Sequence, residues 1–255
     1  MQPLLEVRHV SFSYHTIHGE TPALSDIHFS LSQGEFAAIV GPSGCGKSTL
    51  LSLISGLLAA ESGQILLRGK NVKGSNTGIG YMLQKDHLFE WRTIRRNALL
   101  GLEIQKRLTP ENLRRVDDML DSYGLGAFKN ARPSQLSGGM RQRAALIRTL
   151  ALEPDLLLLD EPFSALDYQT RLSVGDDIGS IIKKERQTAL LVTHDLSEAI
   201  SMADRVIVLS KRPARIRQIV PIVLSIPDRT PMKSRSAPEF KDYFNLIWEE
   251  LNRHD

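Results

Sequence analysis

A glycine-rich segment near the amino terminus has the residues of a phosphate-binding loop. It matches the pattern G-x-x-x-x-G-K-[ST], which arises by chance in about 1% of chains of this length. Glycines let backbone amides converge on phosphate oxygens, and a following helix adds the positive end of its dipole. Lys47 would contact the β- and γ-phosphates of a nucleotide, and the Ser48 hydroxyl would bind Mg²⁺. The segment consists of Gly41, Pro42, Ser43, Gly44, Cys45, Gly46, Lys47, Ser48 and Thr49.

Two adjacent acids, Asp160 and Glu161, follow an apolar run of four leucines at 156–159. Successive strand residues point to opposite sides of a sheet, so the two acids need not act alike. Asp160 fits the Mg²⁺ ligand expected at the carboxyl end of a parallel strand, which leaves Glu161 to orient and polarise an attacking water. Alone, the pair fits a solvated acidic turn equally well. The phosphate loop in the same chain favours the catalytic interpretation.

His194 directly follows a second apolar strand, predicted at 188–193. A single histidine at a strand end is more often structural than catalytic. In a parallel sheet, however, this position lies at the same edge as the phosphate loop and Asp160. We therefore predict that His194 acts at the γ-phosphate.

A second Ser-Gly-Gly turn, at Ser137, Gly138 and Gly139, precedes a predicted helix. Such a turn can bind an anion through the helix N-terminus, or it can simply cap the helix. The residues alone favour the cap. Because the loop at 41–49 already provides one phosphate site, an anion at this second turn would belong to a different nucleotide.

Alternation of strands and helices predicts an α/β fold with a largely parallel sheet. Residues 84–138 show no strong strand pattern and are predicted to form a helical insert. One of its helices begins at Thr109 and Pro110, since proline is favoured in the first helical turn. Predicted strands lie at 4–10, 26–31, 36–40, 65–67, 79–83, 155–160, 188–193, 206–209 and, as a possible edge strand, 216–224. Other predicted helices lie at 47–58, 140–152, 196–203 and 238–251.

The bulk composition excludes several classes of protein. The 255 residues carry a net charge of +3 from scattered basic residues, so charge gives no sign of nucleic-acid binding. A single cysteine, Cys45, precludes an intrachain disulfide, and we interpret it as a small filler in a turn. The amino terminus does not resemble a signal peptide, and no segment approaches the roughly 20 apolar residues of a membrane span. We expect a cytoplasmic protein, for which any membrane role would depend on a partner.

Taken together, the motifs resemble the nucleotide-binding subunit of an ABC transporter. The resemblance covers nearly the whole chain, and its motifs occur in the order of that family. They are Tyr14, the Walker A loop at 41–49, the Q-loop Gln84, the signature sequence LSGGMRQR at 136–143, the Walker B strand ending at Asp160, the D-loop Ser164-Ala165-Leu166-Asp167, and the switch His194.

This resemblance implies a P-loop NTPase core with a mostly parallel sheet, an N-terminal antiparallel β portion and an inserted helical subdomain. The corresponding ranges are 1–83 and 139–225 for the core, 84–138 for the insert, and 226–255 for a linker and final helix. It also implies roles in a head-to-tail homodimer. Tyr14 would stack on adenine, although an aromatic residue here could equally belong to the core. Gln84 would contact Mg²⁺ or the attacking water, and Asp167 and residues 137–139 would complete the ATP site of the partner copy.

The segment Glu90-Trp91-Arg92-Thr93 and the tail resemble importers for nitrate, sulfonates, taurine and thiamine-precursor pyrimidines. Glu90 departs from that pattern, since those proteins usually carry proline before the tryptophan. The implied partners are membrane permease subunits, contacted through the helical insert, and indirectly a substrate-binding protein. The implied location is the inner face of the cell membrane.

Other ABC proteins remain as alternatives. A soluble ABC ATPase that acts on DNA or ribosomes tends to have a long coiled-coil insert or two cassettes. An exporter subunit often has fused membrane spans. A non-catalytic nucleotide sensor would not need both Lys47 and Glu161. Neither the long insert nor the spans are found in this sequence.

Overall fold

The computed structural model describes residues 2–17, 19–74, 78–227 and 229–253, which form two sheets and surrounding helices. The strands are β1 Leu5–Thr16, β2 Gly19–Leu31, β3 Phe36–Val40, β4 Ser62–Leu67, β5 Lys70–Asn71, β6 Ile79–Met82, β7 Leu156–Asp160, β8 Thr188–Val192, β9 Arg205–Leu209 and β10 Ile216–Pro221. The helices are α1 Lys47–Ile54, α2 Ile94–Ala98, α3 Leu100–Ile104, α4 Pro110–Ser122, α5 Gly138–Leu150, α6 Tyr168–Lys184, α7 Leu196–Met202, α8 Pro231–Ser234 and α9 Phe240–Asn252.

The larger sheet has six strands in the order β10-β9-β3-β8-β7-β6. All its pairs are parallel except the β10–β9 pair, which places β10 as an antiparallel edge strand. Every residue of β3, β7 and β8 is buried, because helices or the second sheet cover both faces. The predicted α/β class and largely parallel sheet are confirmed. The parallel arrangement brings the carboxyl ends of β3, β7 and β8 to one edge.

The smaller sheet is antiparallel, with the order β2-β1-β4-β5. The sequence predicted that the first strand ends at residue 10 and is followed by a loop. The predicted loop is wrong, because β1 continues to Thr16 and pairs with β2 as far as Gly19. The pattern was missed because most side chains beyond Phe12 are exposed and give no apolar alternation. As a result, Tyr14 lies on a strand rather than in a loop.

Two apolar cores hold the sheets and helices together. One lies between the two sheets and includes α1, with Leu50 and Ile54 fully buried. The other lies on the opposite face of the parallel sheet and includes helices α2, α4, α5, α6, α7 and α9. The stretch 84–138 is helical where it contains regular structure, as predicted. Thr109 caps α4 by accepting a hydrogen bond from the Asn112 amide at 3.2 Å.

Helix α1 is shorter than predicted, and helices α6 and α8 were not predicted. Helix α1 was predicted to reach residue 58 but ends at Ile54, since Gly56 adopts a left-handed φ of 79°. Helix α6 was not predicted, because two glycines and two aspartates interrupt its apolar face. That face, formed by Val174, Ile178 and Ile181, packs into the helical core. Among the described residues, no helix combines the length and apolar composition needed to cross a membrane.

Candidate functional site

The glycine-rich loop joins the buried strand β3 to helix α1, as the sequence predicted. Gly44 and Gly46 have left-handed φ values of 73° and 121°, which only glycine adopts readily. A side chain at Gly44 would meet no other atom within 4 Å, so the loop leaves open space there. The Lys47 ammonium donates hydrogen bonds to Gly41 O at 2.9 Å and Pro42 O at 3.1 Å. The start of the loop therefore folds back over the Lys47 ammonium, and this geometry is suited to binding phosphate.

Cys45 is buried beneath this loop, as expected of a small filler in a turn. A Cβ placed on Gly41 would lie 2.9 Å from the Cys45 sulfur and 3.1 Å from the Leu209 Cβ. Burial raises the pKa of the Cys45 thiol, so it stays protonated at neutral pH. These contacts give Cys45 a packing role under the loop.

Three oxygen-bearing side chains meet at the end of β7. The Ser48 hydroxyl donates to Asp160 Oδ1 at 3.1 Å, and the Tyr81 hydroxyl donates to Asp160 Oδ2 at 3.2 Å. Burial raises the pKa of Asp160, while the two hydroxyl donors and Lys47 act in the opposite direction. Hard oxygen donors such as Ser48 and Asp160 suit Mg²⁺.

Sequence reasoning did not identify Tyr81 as part of this cluster. Its position depends on strand order, because β6 pairs with β7 and Tyr81 lies beside Leu158 in the register. Burial raises the pKa of Tyr81, and the nearby Asp160 charge raises it further. The phenol therefore stays protonated and can donate its hydrogen bond throughout the physiological pH range.

Glu161 and His194 form a pair at the same edge of the sheet. His194 Nδ1 and Glu161 Oε2 are 3.0 Å apart. The Glu161 carboxylate is 23% exposed and the His194 ring 56% exposed, so water can reach both. Glu161 adopts a left-handed φ of 45°, and its amide donates to Val192 O at 2.8 Å. A carboxylate held by an imidazole and open to water is arranged to act as a general base.

Gln84 joins this group through Ser164. Its side-chain amide donates to Ser164 Oγ at 3.1 Å, and Ser164 Oγ donates to Glu161 O at 2.9 Å. The prediction that Gln84 contacts Mg²⁺ or water stays a prediction, since its side-chain amide donates to the D-loop serine. Ser164 therefore connects the Q-loop to the backbone of Glu161, a link that sequence spacing did not suggest.

Two arginines of helix α5 form hydrogen bonds with the segment after Gln84. Arg141 contacts Asp86 Oδ2 at 3.1 Å, and Arg148 donates to the backbone oxygens of Asp86 and His87, each at 2.7 Å. Both arginines belong to the helix that begins at the Ser-Gly-Gly turn. A movement of that helix would therefore carry the Q-loop with it.

Tyr14 lies near the end of the glycine-rich loop, with its hydroxyl 2.9 Å from Thr49 Oγ1. Its side chain is 39% exposed, so the structure does not place it in the core. Phe12 meets its ring edge-on at 5.0 Å, and the Arg212 guanidinium lies 5.8 Å from the ring centroid. This position is compatible with an aromatic platform beside a nucleotide bound at 41–49, and stacking on adenine stays a prediction.

The Ser-Gly-Gly turn forms the start of α5. Ser137 is the N-cap and accepts a hydrogen bond from the Met140 amide at 3.3 Å. A Cβ on Gly139 would lie 2.5 Å from Val174 Cγ2 on α6. Asp167 is likewise the N-cap of α6 and accepts from the Thr170 amide at 3.1 Å. Within the described residues, no hydrogen bond or ion pair joins 137–139 or Asp167 to the loop at 41–49.

A parallel sheet whose strand β3 leads through a glycine-rich loop into α1, with acids at the end of a nearby strand, is the arrangement of a P-loop NTPase. The family described as ABC transporter matches residues 24–164. The chain is 47% identical over 248 residues to the ABC transporter ATP-binding protein YtlC of Bacillus subtilis. The aligned region covers 97% of this chain and 95% of YtlC. The chain belongs to the ABC transporter family, and it is an ATPase subunit.

Two further relatives have names that specify transport. The aliphatic sulfonates import ATP-binding protein SsuB of Bacillus licheniformis is 37% identical over 232 residues, covering 91% of this chain and 88% of SsuB. The taurine import ATP-binding protein TauB of Roseobacter denitrificans is 35% identical over 252 residues, covering 96% of this chain and 94% of TauB.

Solved structures share the fold. The dimeric post-hydrolysis state of the ATP-binding cassette MJ0796, bound to ADP and Pi, matches with a TM-score of 0.73 and 28% identity, covering 86% of this chain and 99% of that one. The structure of cbiO1 from Clostridium perfringens, part of the ABC transporter complex cbiONQ, matches with a TM-score of 0.77 and 27% identity, covering 96% of each chain.

Proposed function

We propose that this chain is the ATP-hydrolysing subunit of an ABC importer, working as a homodimer on the inner face of the cell membrane with a separate permease. The observation that carries the hydrolytic part is the Glu161–His194 pair, 3.0 Å apart, at the same sheet edge as the Ser48–Asp160 contact. A base that can reach water and a set of metal-type oxygen donors are the two chemical requirements for hydrolysing a phosphoanhydride.

In this proposal, the backbone amides of 41–49 and the Lys47 ammonium bind the phosphates of ATP. Ser48 and Asp160 would hold Mg²⁺, which would supply positive charge to neutralise the phosphates. Gln84 would be a further Mg²⁺ ligand or a contact to the attacking water. Glu161 accepts the proton of that water, and His194 orients the Glu161 carboxylate and donates a hydrogen bond to the γ-phosphate.

The homodimer is supported by the surface position of Ser137. Its side chain is exposed, and it begins a helix of 13 residues whose N-terminal amides can face an anion. We propose that residues 137–139 of one copy close over the ATP held at 41–49 of the other, with Asp167 at the same interface. ATP then favours the closed dimer because it contacts both copies only in that state.

Coupling to a permease is supported by exposed apolar side chains on the helical insert. Trp91 is 72% exposed, Ile104 73% and Leu108 46%. Arg92 and Glu103, each next to one of these side chains, form an ion pair of 2.7 Å that holds their segments together. Exposed aromatic and aliphatic side chains grouped in this way are typical of a protein interface. We propose that this surface, defined by Trp91, Ile104 and Leu108, binds the membrane subunit.

The relatives SsuB and TauB support a small sulfonate such as taurine as the imported substrate, delivered by a substrate-binding protein. Nitrate and thiamine-precursor pyrimidines are the further substrates implied by the sequence around Trp91. Glu90 precedes Trp91 on the proposed permease surface, so it would contact the membrane subunit rather than the substrate.

The test is to co-express the chain with a candidate permease, chosen as a polytopic membrane protein encoded in a neighbouring gene, and to purify the complex in detergent. We expect the pair to co-purify and to import a sulfonate into liposomes when ATP is supplied on the ATPase side and the substrate-binding protein on the opposite side. Trp91→Ala should abolish co-purification while leaving ATP binding intact. Trp248→Ala, which removes another exposed tryptophan from α9, is the matched control and should retain the complex.

Retention of the complex by Trp91→Ala would show that this surface is not the permease site. Failure of the wild-type chain to associate with any permease or to drive uptake would overturn the importer. The assignment of ATP hydrolysis would be unaffected, because it is measured on the isolated chain.

A further inference from the structure

Three side chains with metal-binding atoms converge on the exposed face of the antiparallel sheet. His15, Glu20 and Glu61 each offer one ligand atom, and these atoms lie within 4.8 Å of one another. His15 and Glu20 are direct partners across the β1–β2 pair, so their side chains project from the same face. Glu61 directly precedes β4, on the other side of β1. The cluster thus joins three neighbouring segments of the sheet.

The donor set is that of a transition metal rather than of Mg²⁺. One imidazole and two carboxylates suit Zn²⁺, whereas Mg²⁺ prefers oxygen ligands and retains its waters. Zn²⁺ bonds of about 2.0–2.2 Å place tetrahedral ligand atoms about 3.4 Å apart. Exposed side chains can close from 4.8 Å to that separation by rotating about their own bonds.

His15 and Glu61 are already paired, with His15 Nε2 and Glu61 Oε1 2.7 Å apart. A simple surface pair would look similar, as His9 and Asp26 do on the same sheet, with His9 Nδ1 2.7 Å from Asp26 Oδ1. What distinguishes His15 is the second carboxylate, Glu20, directly opposite it across the strand pair.

We propose that His15, Glu20 and Glu61 form a binding site for a divalent transition metal of the Zn²⁺ class, with a fourth position open to water. Such a site uses no residue of the phosphate loop and is independent of the importer proposal. It would cross-link β1, β2 and the entry to β4 beside Tyr14, whose hydroxyl is 2.9 Å from Thr49. Metal at this site would therefore restrain the strand that carries Tyr14.

The test uses the full-length chain without an affinity tag, stripped of metal and nucleotide. Zn²⁺ is titrated by calorimetry, and Co²⁺ by the visible absorption that reports its coordination. We expect one tight equivalent per chain that is lost in His15→Ala and is weakened at least about tenfold in Glu20→Gln and Glu61→Gln. Millimolar Mg²⁺ should not displace it.

His28→Gln is the matched control, because His28 is another exposed histidine of this sheet, stacked on His9 with ring centroids 4.8 Å apart. This variant should keep the tight equivalent. Any metal bound at Asp160, Glu161 and His194 remains in His15→Ala and is thereby separated from the proposed site. Equal stoichiometry and affinity in wild type and His15→Ala, or an equal loss in His28→Gln, would overturn the proposal.

Folding of the variants is checked by Mg²⁺-dependent ATP turnover, which should match wild type because all three side chains are exposed. Metal should also raise the melting temperature of the wild-type chain, since a ligand that binds only the folded state stabilises it. The rise should be smaller in His15→Ala, by the part that the proposed site contributes.

Discussion

Glu161 combines an unfavourable backbone conformation with a useful side-chain position. Its φ of 45° is left-handed, and the following Pro162 disfavours helical conformations at the preceding residue. Non-glycine residues in such conformations cost on the order of 1–3 kcal/mol. Hydrogen bonds from the Glu161 amide to Val192 O and from Ser164 to Glu161 O hold the conformation. In this conformation the Glu161 carboxylate lies 3.0 Å from His194 Nδ1.

The first prediction concerns the base itself. Glu161→Gln preserves size and shape but cannot accept the proton of water, so ATP turnover should fall by about 10²–10⁴-fold. Binding of a fluorescent ATP analogue should be unchanged, because the phosphate loop is untouched. Glu111→Gln, an exposed acid at the start of α4, serves as the control. Phosphate release by Glu161→Gln at near the wild-type rate would remove Glu161 from the role of base.

The second prediction concerns the stability cost of Asp160. Burial raises its pKa in the folded chain, so its contribution to stability is fully present below the unfolded value of about 3.9 and is lost as pH rises through the raised folded value. At pH 7, the ionised carboxylate therefore destabilises the nucleotide-free fold. Asp160→Asn removes that charge and should raise the melting temperature.

The gain in Asp160→Asn should grow as the pH is raised from 4 to 7, with each kcal/mol worth about 2–4 °C for a chain of this size. Scanning fluorimetry of nucleotide-free protein without Mg²⁺ measures it. Addition of Mg²⁺ and ATP should stabilise the wild type more than the variant. A melting temperature of Asp160→Asn below wild type at pH 7 would show that the hydroxyl and Lys47 contacts outweigh burial.

At the scale of elements, the glycines of the signature turn have a packing role beside any nucleotide role. Gly139→Ala would place a Cβ 2.5 Å from Val174 Cγ2, forcing α5 and α6 apart. Overpacking of this kind typically costs about 1–3 kcal/mol, so the melting temperature should fall. Adding Val174→Ala should recover part of the loss, because it removes the clashing methyl group.

Gly175→Ala is the matched control in the same helix pair. No atom lies within 4 Å of a Cβ at this position, and alanine is favoured over glycine in a helix by about 0.8–1.0 kcal/mol. Its melting temperature should therefore rise. An unchanged or raised melting temperature in Gly139→Ala would mean that the helices adjust freely and that packing does not require glycine there.

The bounds of a secondary-structure element are easiest to predict from the sequence where the element is buried on all sides. Strand β3 was predicted with its observed bounds because five consecutive apolar residues, ending at the glycine-rich loop, are typical of a strand covered on both faces. The β1–β2 hairpin was not predicted beyond residue 10, because exposed strands lose the apolar alternation. Tyr81 was missed because its contact with Asp160 depends on the order of strands, which spacing along the chain does not encode.

Part of the candidate site could be predicted because buried strands have a recognisable local sequence pattern. Residues 41–49 and Asp160 follow buried strands, so a local pattern suffices to locate them. The Gln84–Ser164–Glu161 connection spans 80 residues and depends on how the insert packs. The role of the Ser-Gly-Gly turn is harder to predict from one chain. Within a single chain the turn is fully explained as a helix cap, and contact with a nucleotide would require a second copy.

At the scale of the whole molecule, the decisive question is whether each ATP site is built from two chains. Lys47→Ala removes the phosphate-binding cation, and Ser137→Arg blocks the exposed start of α5. Each homodimer should be inactive, because both of its sites carry the defect. Mixing the two variants creates dimers in which Lys47 of one chain faces Ser137 of the other, so one site regains both wild-type parts.

In a random 1:1 mixture, half of the dimers are mixed and each has one intact site of two, so activity should return to about a quarter of wild type if sites act independently. Ser137→Arg should still bind ATP through its own loop, which verifies its fold. Mixing Lys47→Ala with the Lys47→Ala, Ser137→Arg double variant is the control and should restore nothing, since no intact loop is present. If the mixture of Lys47→Ala with Ser137→Arg shows only the summed activity of the two separate variants, each site is completed within one chain, and the head-to-tail homodimer is wrong.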